Sequence, residues 1–205
     1  HRGGKIKLAD PRDEMPEAVR TAQVHHHKRQ AHDDCGHRQQ LAEDDQVVEL
    51  LVRYRPDVLW FDGIGFKSDS QLEDLVRTIR TLQPGCLINS RIKTFRNPSP
   101  DPYHYCDYIS MGDNEIADRA PGFEWENPGT LNSTYGYSRE DNRWIDSEEI
   151  VFRLVDIVSK NGNLLINVVQ RPDGSLDPEA EQILAQMADW IAIHGEAIYG
   201  TRPWL

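Results

Sequence analysis

From residue 43 onward, apolar side chains recur in two alternating rhythms, one helical and one extended. Val47, Leu50, Leu51 and Tyr54 follow the i, i+3, i+4, i+7 spacing of a helix over residues 43–54, which Pro56 closes. Val58-Leu59-Trp60-Phe61 is a short apolar run between Pro56 and Gly63, the pattern of a strand buried on both faces. A second helix is predicted from Ser70, with Glu73 three places on as a capping box. It carries Leu72, Leu75, Val76 and Ile79 on one face and stops before Pro84-Gly85. Residues 86–88 and 107–110 read as the next two strands. Residues 111–145 are rich in Gly, Asn, Pro and aromatics and read as long loops.

Asp146 and Glu149 open a third helix, which ends at Asn161-Gly162, and residues 164–169 form a fourth strand. Asp177-Pro178-Glu179 starts the last helix, a cap residue followed by proline at the first helical position. Ile183, Met187, Trp190 and Ile191 give it one apolar stripe. Four strands alternating with four helices predict an α/β fold with a parallel sheet. A complete eight-stranded barrel usually takes about 250 residues, so a barrel built on this pattern would be partial, about four strand-helix units. Residues 1–42 contrast with the rest: they are polar and basic, with His25-His26-His27-Lys28-Arg29 and no sustained period. The organisation expected is therefore an aberrant or disordered segment over 1–42 and the α/β unit over 43–205.

Composition narrows the partners. Hydrophobic residues make up 38% of the 205, a normal globular value, and the formal net charge is -11. That charge argues against a nucleic-acid partner. No apolar run approaches the ~20 residues needed to span a bilayer. Cys35, Cys86 and Cys106 form no disulfide framework. His25, His26, His27, His32, Cys35 and His37 could suggest a metal, but their spacing fits no zinc pattern, so no metal is expected.

The candidate chemistry begins at Asp62. A carboxylate directly after an apolar strand and before glycine lies at the C-terminal mouth of a parallel sheet, where α/β barrels keep catalytic groups; an aspartate capping the next turn has the same spacing. The words around it decide more. Residues 54–63, Tyr-Arg-Pro-Asp-Val-Leu-Trp-Phe-Asp-Gly, resemble the nucleophile strand of the alpha-L-fucosidases, glycoside hydrolase family 29. Asn89-Ser90-Arg91 stands where the family has Asn-Asp-Arg. Trp125-Glu126-Asn127 through Tyr135-Gly136-Tyr137 resembles its Trp-Glu to Trp-Gly-Tyr segment. Residues 159–168, 171–175 and 195–204 follow its pattern in order.

The resemblance implies a (β/α)8, TIM-like barrel and a retaining exo-glycosidase that removes terminal alpha-L-fucosyl residues through a covalent intermediate. No cofactor is implied. The implied partner is a fucosylated oligosaccharide or glycoconjugate, with oligomer formation open and an extracellular, periplasmic or lysosomal setting favoured. Asp62 is then the nucleophile, which must be ionised at working pH, and a neighbouring arginine would hold it so. Arg91 is the candidate. The resemblance places Arg91 and Trp60 in the sugar pocket, with Glu126 and Tyr135 as further substrate contacts; the alternative for Trp60 is plain core packing. For the acid/base residue the order is Asp113, then Glu126, then Glu115, because Asp113 occupies the family's slot on the loop after the third strand.

Three departures bear on activity. Tyr135 replaces the family's tryptophan, Val169-Gln170 replaces Gly-Pro, and the family's histidine-bearing strands upstream of the nucleophile are not found in residues 1–45. The alternative function is accordingly a catalytically inactive fragment or pseudo-enzyme of the same family.

Overall fold

The computed structural model of the chain describes residues 21–25, 33–62, 68–93, 104–141 and 143–203, those up to 43 by backbone alone. Among them the element order is β1 (Thr21–His25), α1 (Asp33–Tyr54), β2 (Val58–Asp62), α2 (Asp69–Leu82), β3 (Leu87–Ile88), β4 (Ile109–Ser110), β5 (Trp125–Thr130), α3 (Ser147–Ser159), β6 (Gly162–Asn167) and α4 (Pro178–His194). Strands β1-β2-β3 pair in parallel, as do β4-β5-β6. A single parallel bridge from Asn89 to Tyr108 joins the two sets. The six strands thus lie side by side in chain order, with no reversal of the kind that marks a doubly wound sheet.

The α/β class with parallel strands is as the patterning predicts, but the count of four strands is corrected to six. The largest correction is β5. Its sequence, Trp-Glu-Asn-Pro-Gly-Thr, looks like a turn, yet all six residues are buried and it pairs along its whole length with β6. The anchor is Trp125, fully buried, whose indole N–H donates to the Lys160 carbonyl at 2.9 Å. Gly162 of β6 lies against that ring: a Cβ there would fall 2.5 Å from two ring carbons. Strand β1 and the first turns of α1 form where no sustained hydrophobic period is visible. Register with β2, Val24 opposite Phe61 and His25 opposite Asp62, supplies what local pattern does not.

Helix α2 is capped two residues earlier than predicted. The Ser68 hydroxyl accepts from the Gln71 N–H, and the Gln71 side chain accepts from the Ser68 N–H. Ser68 and Ser70 both offer a hydroxyl three residues before a Gln or Glu, and sequence alone does not choose between them. The Asp146 cap of α3 and the Asp177-Pro178 start of α4 form as predicted.

Two apolar cores flank the sheet. Leu59 and Phe61 of β2 and Ile88 of β3 pack with Val47 and Leu51 of α1 and Leu72, Leu75 and Ile79 of α2. Leu164 and Ile166 of β6 pack with Ile150 of α3 and Ile183 of α4. Because strand side chains alternate, these contacts turn Trp60, Asp62, Ser110 and Glu126 to the opposite face of the sheet. No described helix is long and apolar enough to cross a membrane.

Candidate active site

Asp62 is the last residue of β2, and its position is fixed by the residue before it. The Phe61 N–H donates to the Asn89 side-chain oxygen at 2.8 Å, and the Asn89 amide donates back to the Phe61 carbonyl at 3.1 Å. Asn89 is fully buried. The chain then leaves the sheet in a short 3-10 turn, Ser90–Ile92, which lifts Arg91 to the level of Asp62.

Arg91 organises the site. Its side chain is only 3% exposed, and four groups receive its N–H donors. Nε donates to Ser110 Oγ at 3.0 Å, and one terminal nitrogen donates to Asp62 Oδ1 at 3.1 Å. The other donates to the Met111 carbonyl at 3.0 Å and to Asp113 Oδ1 at 2.7 Å. Asp62 and Asp113 therefore sit on the two ends of one planar guanidinium, their contacting oxygens no more than about 8 Å apart. The guanidinium also lies over the Trp60 ring, 4.8 Å from its centroid. A buried, forked cation of this kind matches two carboxylates in a way a lysine does not.

Asp113 is 57% exposed, and its loop is pinned from below. The Asn114 N–H donates to the Pro128 carbonyl at 2.8 Å, and buried Asn127 donates to the Glu115 carbonyl at 2.7 Å. The Tyr135 hydroxyl reaches the same Pro128 carbonyl at 2.9 Å. Tyr135 and Asn114 thus share one carbonyl; burial pushes the phenol up, and the Asp113 charge pushes it further.

Glu126 on β5 is 8% exposed and accepts a hydrogen bond from the Trp60 indole N–H. Ser110, Tyr108 and Arg91 lie near enough to its carboxyl to favour the ionised form. Burial outweighs these contacts and holds its carboxyl above the usual range. The Tyr108 phenol is driven well up by its own burial and then by the Glu126 charge. Glu115 is turned away: its carboxylate accepts from the Gly112 N–H of its own turn at 3.1 Å.

Of the residues singled out from sequence, the fold gathers Trp60, Asp62, Arg91, Asp113 and Glu126 around one guanidinium. It puts Tyr135 on the carbonyl shared with Asn114 and leaves the Glu115 carboxylate folded onto its own loop. Trp60 is 6% exposed and in contact with Arg91 and Glu126. Asn89, Ser90, Tyr108 and Ser110 complete the network without having been singled out. For Asn89 and Ser90 the one available signal was their place in the tripeptide with Arg91. Among the described residues no group of three His, Cys, Asp or Glu could hold a metal ion. His26, His27 and His32 lie outside the described residues, as do the side chains of His25, Cys35 and His37.

A family model for alpha-L-fucosidase matches residues 14–196. Plasma alpha-L-fucosidase of Pongo abelii is 30% identical over 162 residues, 78% of this chain and 35% of that protein. The alpha-L-fucosidase of Branchiostoma floridae is 28% identical over 177 residues, 78% of this chain and 36% of its own length. Among solved structures, alpha-L-fucosidase isoenzyme 1 from Paenibacillus thiaminolyticus superposes with a TM-score of 0.73 at 30% identity, covering 82% of this chain and 42% of that one. The Thermotoga maritima alpha-fucosidase in complex with fucose gives 0.65 at 29% identity, over 82% and 36%. The chain thus spans little more than a third of the length of these curated relatives.

Proposed function

This chain belongs to the alpha-L-fucosidase family, and we propose that it supplies the catalytic half of a retaining exo-glycosidase acting on terminal alpha-L-fucosyl residues of glycans or glycoconjugates. The sheet is an arc of a (β/α)8 barrel in this reading, with residues 43–205 as the C-terminal part of the catalytic domain. Sequential parallel order supports that, as does the clustering of Asp62, Arg91 and Asp113 at strand ends.

One observation carries the reading: a single buried arginine holds Asp62 and Asp113 side by side. A retaining glycosidase needs two carboxyl groups about 5–5.5 Å apart, and a shared guanidinium keeps a pair within reach of that distance. Asp62 Oδ would attack the anomeric carbon as the fucosyl–oxygen bond breaks, forming an ester. Asp113, on the exposed loop, would give its proton to the leaving oxygen and then take one from the water that hydrolyses the ester. Trp60 would form an apolar wall, and Tyr135 and Glu126 would flank the sugar.

A second assignment of the proton donor has its own support. Glu126 is the carboxyl whose acidity burial weakens, the property a general acid needs. Against it, Glu126 is 8% exposed and the Trp60 indole N–H already donates to its carboxyl. The test is release of 4-nitrophenol from 4-nitrophenyl alpha-L-fucoside by the 205-residue chain, beside Asp62→Asn. Release that the substitution abolishes is expected, and wild-type turnover by the variant would remove Asp62 from the mechanism. Azide rescue of Asp113→Ala is expected; rescue of Glu126→Ala instead would transfer the acid/base role.

A further inference from the structure

The strand between the two halves of the site is too short to join them. β3 has only two residues against five in β2, and β4 on its other side has two. Beyond Asn89, whose bridge to Tyr108 is the last pairing, the backbone turns out of the sheet, and the strands on either side continue without it. Ladder groups left behind must find partners or carry the cost of an unmade hydrogen bond.

Two consecutive side chains take the place of the missing backbone. On the β2 flank, Asn89 accepts from the Phe61 N–H at 2.8 Å and donates to the Phe61 carbonyl at 3.1 Å. On the β4 flank, Ser90 Oγ accepts from the Ser110 N–H at 3.0 Å and donates to the Ser110 carbonyl at 3.4 Å. Each side chain thus makes both bonds that a neighbouring peptide would make. The next N–H after β4, that of Met111, serves β5 at 2.9 Å, so Ser110 is the residue that faces the gap. Phe61 immediately precedes Asp62. Ser110 holds Arg91 Nε through its hydroxyl and precedes Met111, whose carbonyl takes the same guanidinium that binds Asp113.

We propose that Asn89 and Ser90 are positioning residues that splice the two flanks: Asn89 sets the nucleophile side through Phe61, and Ser90 sets the acid/base side through Ser110. The inference rests on the roles proposed above for Asp62 and Asp113. It also assigns a use to Ser90, which stands where the family motif has aspartate. A carboxylate there would accept from the Ser110 N–H but could not donate to its carbonyl. The hydroxyl makes both bonds.

The two flanks predict different kinetics. Misplacing the nucleophile slows ester formation whatever the leaving group, while misplacing the acid is relieved when the leaving group needs no proton. Asn89→Ala, with Asn89→Asp as the variant that keeps shape and acceptor, should lower kcat/KM about 100-fold on both 4-nitrophenyl and 2,4-dinitrophenyl alpha-L-fucosides. Ser90→Ala should lower it on the first substrate and leave the second within a fewfold, and Ser90→Thr should restore both. A purely structural loss would depress both substrates together in both variants, and that result, or no loss in either, overturns the inference. If the unmutated chain hydrolyses neither substrate, the functional reading fails instead, and amide hydrogen exchange still decides the splice. Asn89→Ala should then speed exchange at Phe61 alone, and Ser90→Ala at Ser110 alone, by about tenfold. Protection unchanged at both amides sinks it.

Discussion

Replacing Gly162 by alanine adds one methyl group at a place where the structure has no room for it. The added Cβ would sit 2.5 Å from Trp125 Cε2 and Cζ2 and 2.9 Å from Ile157 Cγ2. Both neighbours are fully buried, so neither can swing into solvent. The indole is further tethered by its 2.9 Å hydrogen bond to the Lys160 carbonyl. Overpacking of this kind costs about 1–3 kcal/mol, and moving the indole would forfeit roughly 1 kcal/mol of hydrogen bonding. Against that stands a gain of about 0.4–1 kcal/mol from the less flexible unfolded chain. The net loss expected is about 2 kcal/mol, which for a domain of this size lowers Tm by about 4–8 °C.

Thermal unfolding followed by far-ultraviolet circular dichroism at one protein concentration measures it. A double-mutant cycle locates the cause. Trp125→Phe shortens the ring that the new methyl meets, so Gly162→Ala should cost at least about 1 kcal/mol less in that background. An unchanged or raised Tm for Gly162→Ala would refute the packing argument, and additivity in the cycle would show that Trp125 is not what the methyl strikes. Because Glu126 follows Trp125 in β5, any displacement of the ring also moves a carboxyl of the site.

Two further predictions follow from the same geometry. Arg91→Lys keeps the charge but cannot hold Ser110, Met111, Asp62 and Asp113 together, and the partly exposed aspartates are resolvated in part; a loss of about 1–2 kcal/mol is expected. Urea titration should show a lower midpoint with an unchanged slope, and an unmoved midpoint would mean the forked geometry adds no stability. Glu126→Gln should stabilise the protein at neutral pH. Its folded carboxyl is raised by burial, so the folded state binds the proton more tightly than the unfolded chain. Stability is therefore fullest below the ordinary glutamate value of about 4.3 and falls as pH rises through the raised one. The variant's advantage in Tm should be present at pH 7 and vanish at acid pH; an advantage that grows on acidification contradicts the sign.

Much of the fold is legible wherever a helix carries an apolar stripe and a cap. Asp146 and Asp177-Pro178 mark α3 and α4 to the residue. β5 is not legible, because burial on both faces removes alternation and Asn127-Pro128-Gly129 imitates a turn. Its strand character comes from β6 alongside it and from the Trp125 anchor. The site divides in the same way. Asp62, Arg91 and Asp113 stand out by motif, and the fold brings them together. Asn89, Ser90 and Ser110 matter through hydrogen bonds that span 19 to 28 residues in sequence, and no local pattern encodes such partners.

The two-residue β3 has a consequence for descent. Where backbone holds neighbouring strands, substitution of a side chain leaves the spacing intact. Here two ordinary polar side chains do that task, beside Phe61 and Ile88 of the core that packs on α1 and α2. Heritable change at positions 89 and 90 therefore acts directly on the spacing of the two flanks, with no backbone ladder there to buffer it.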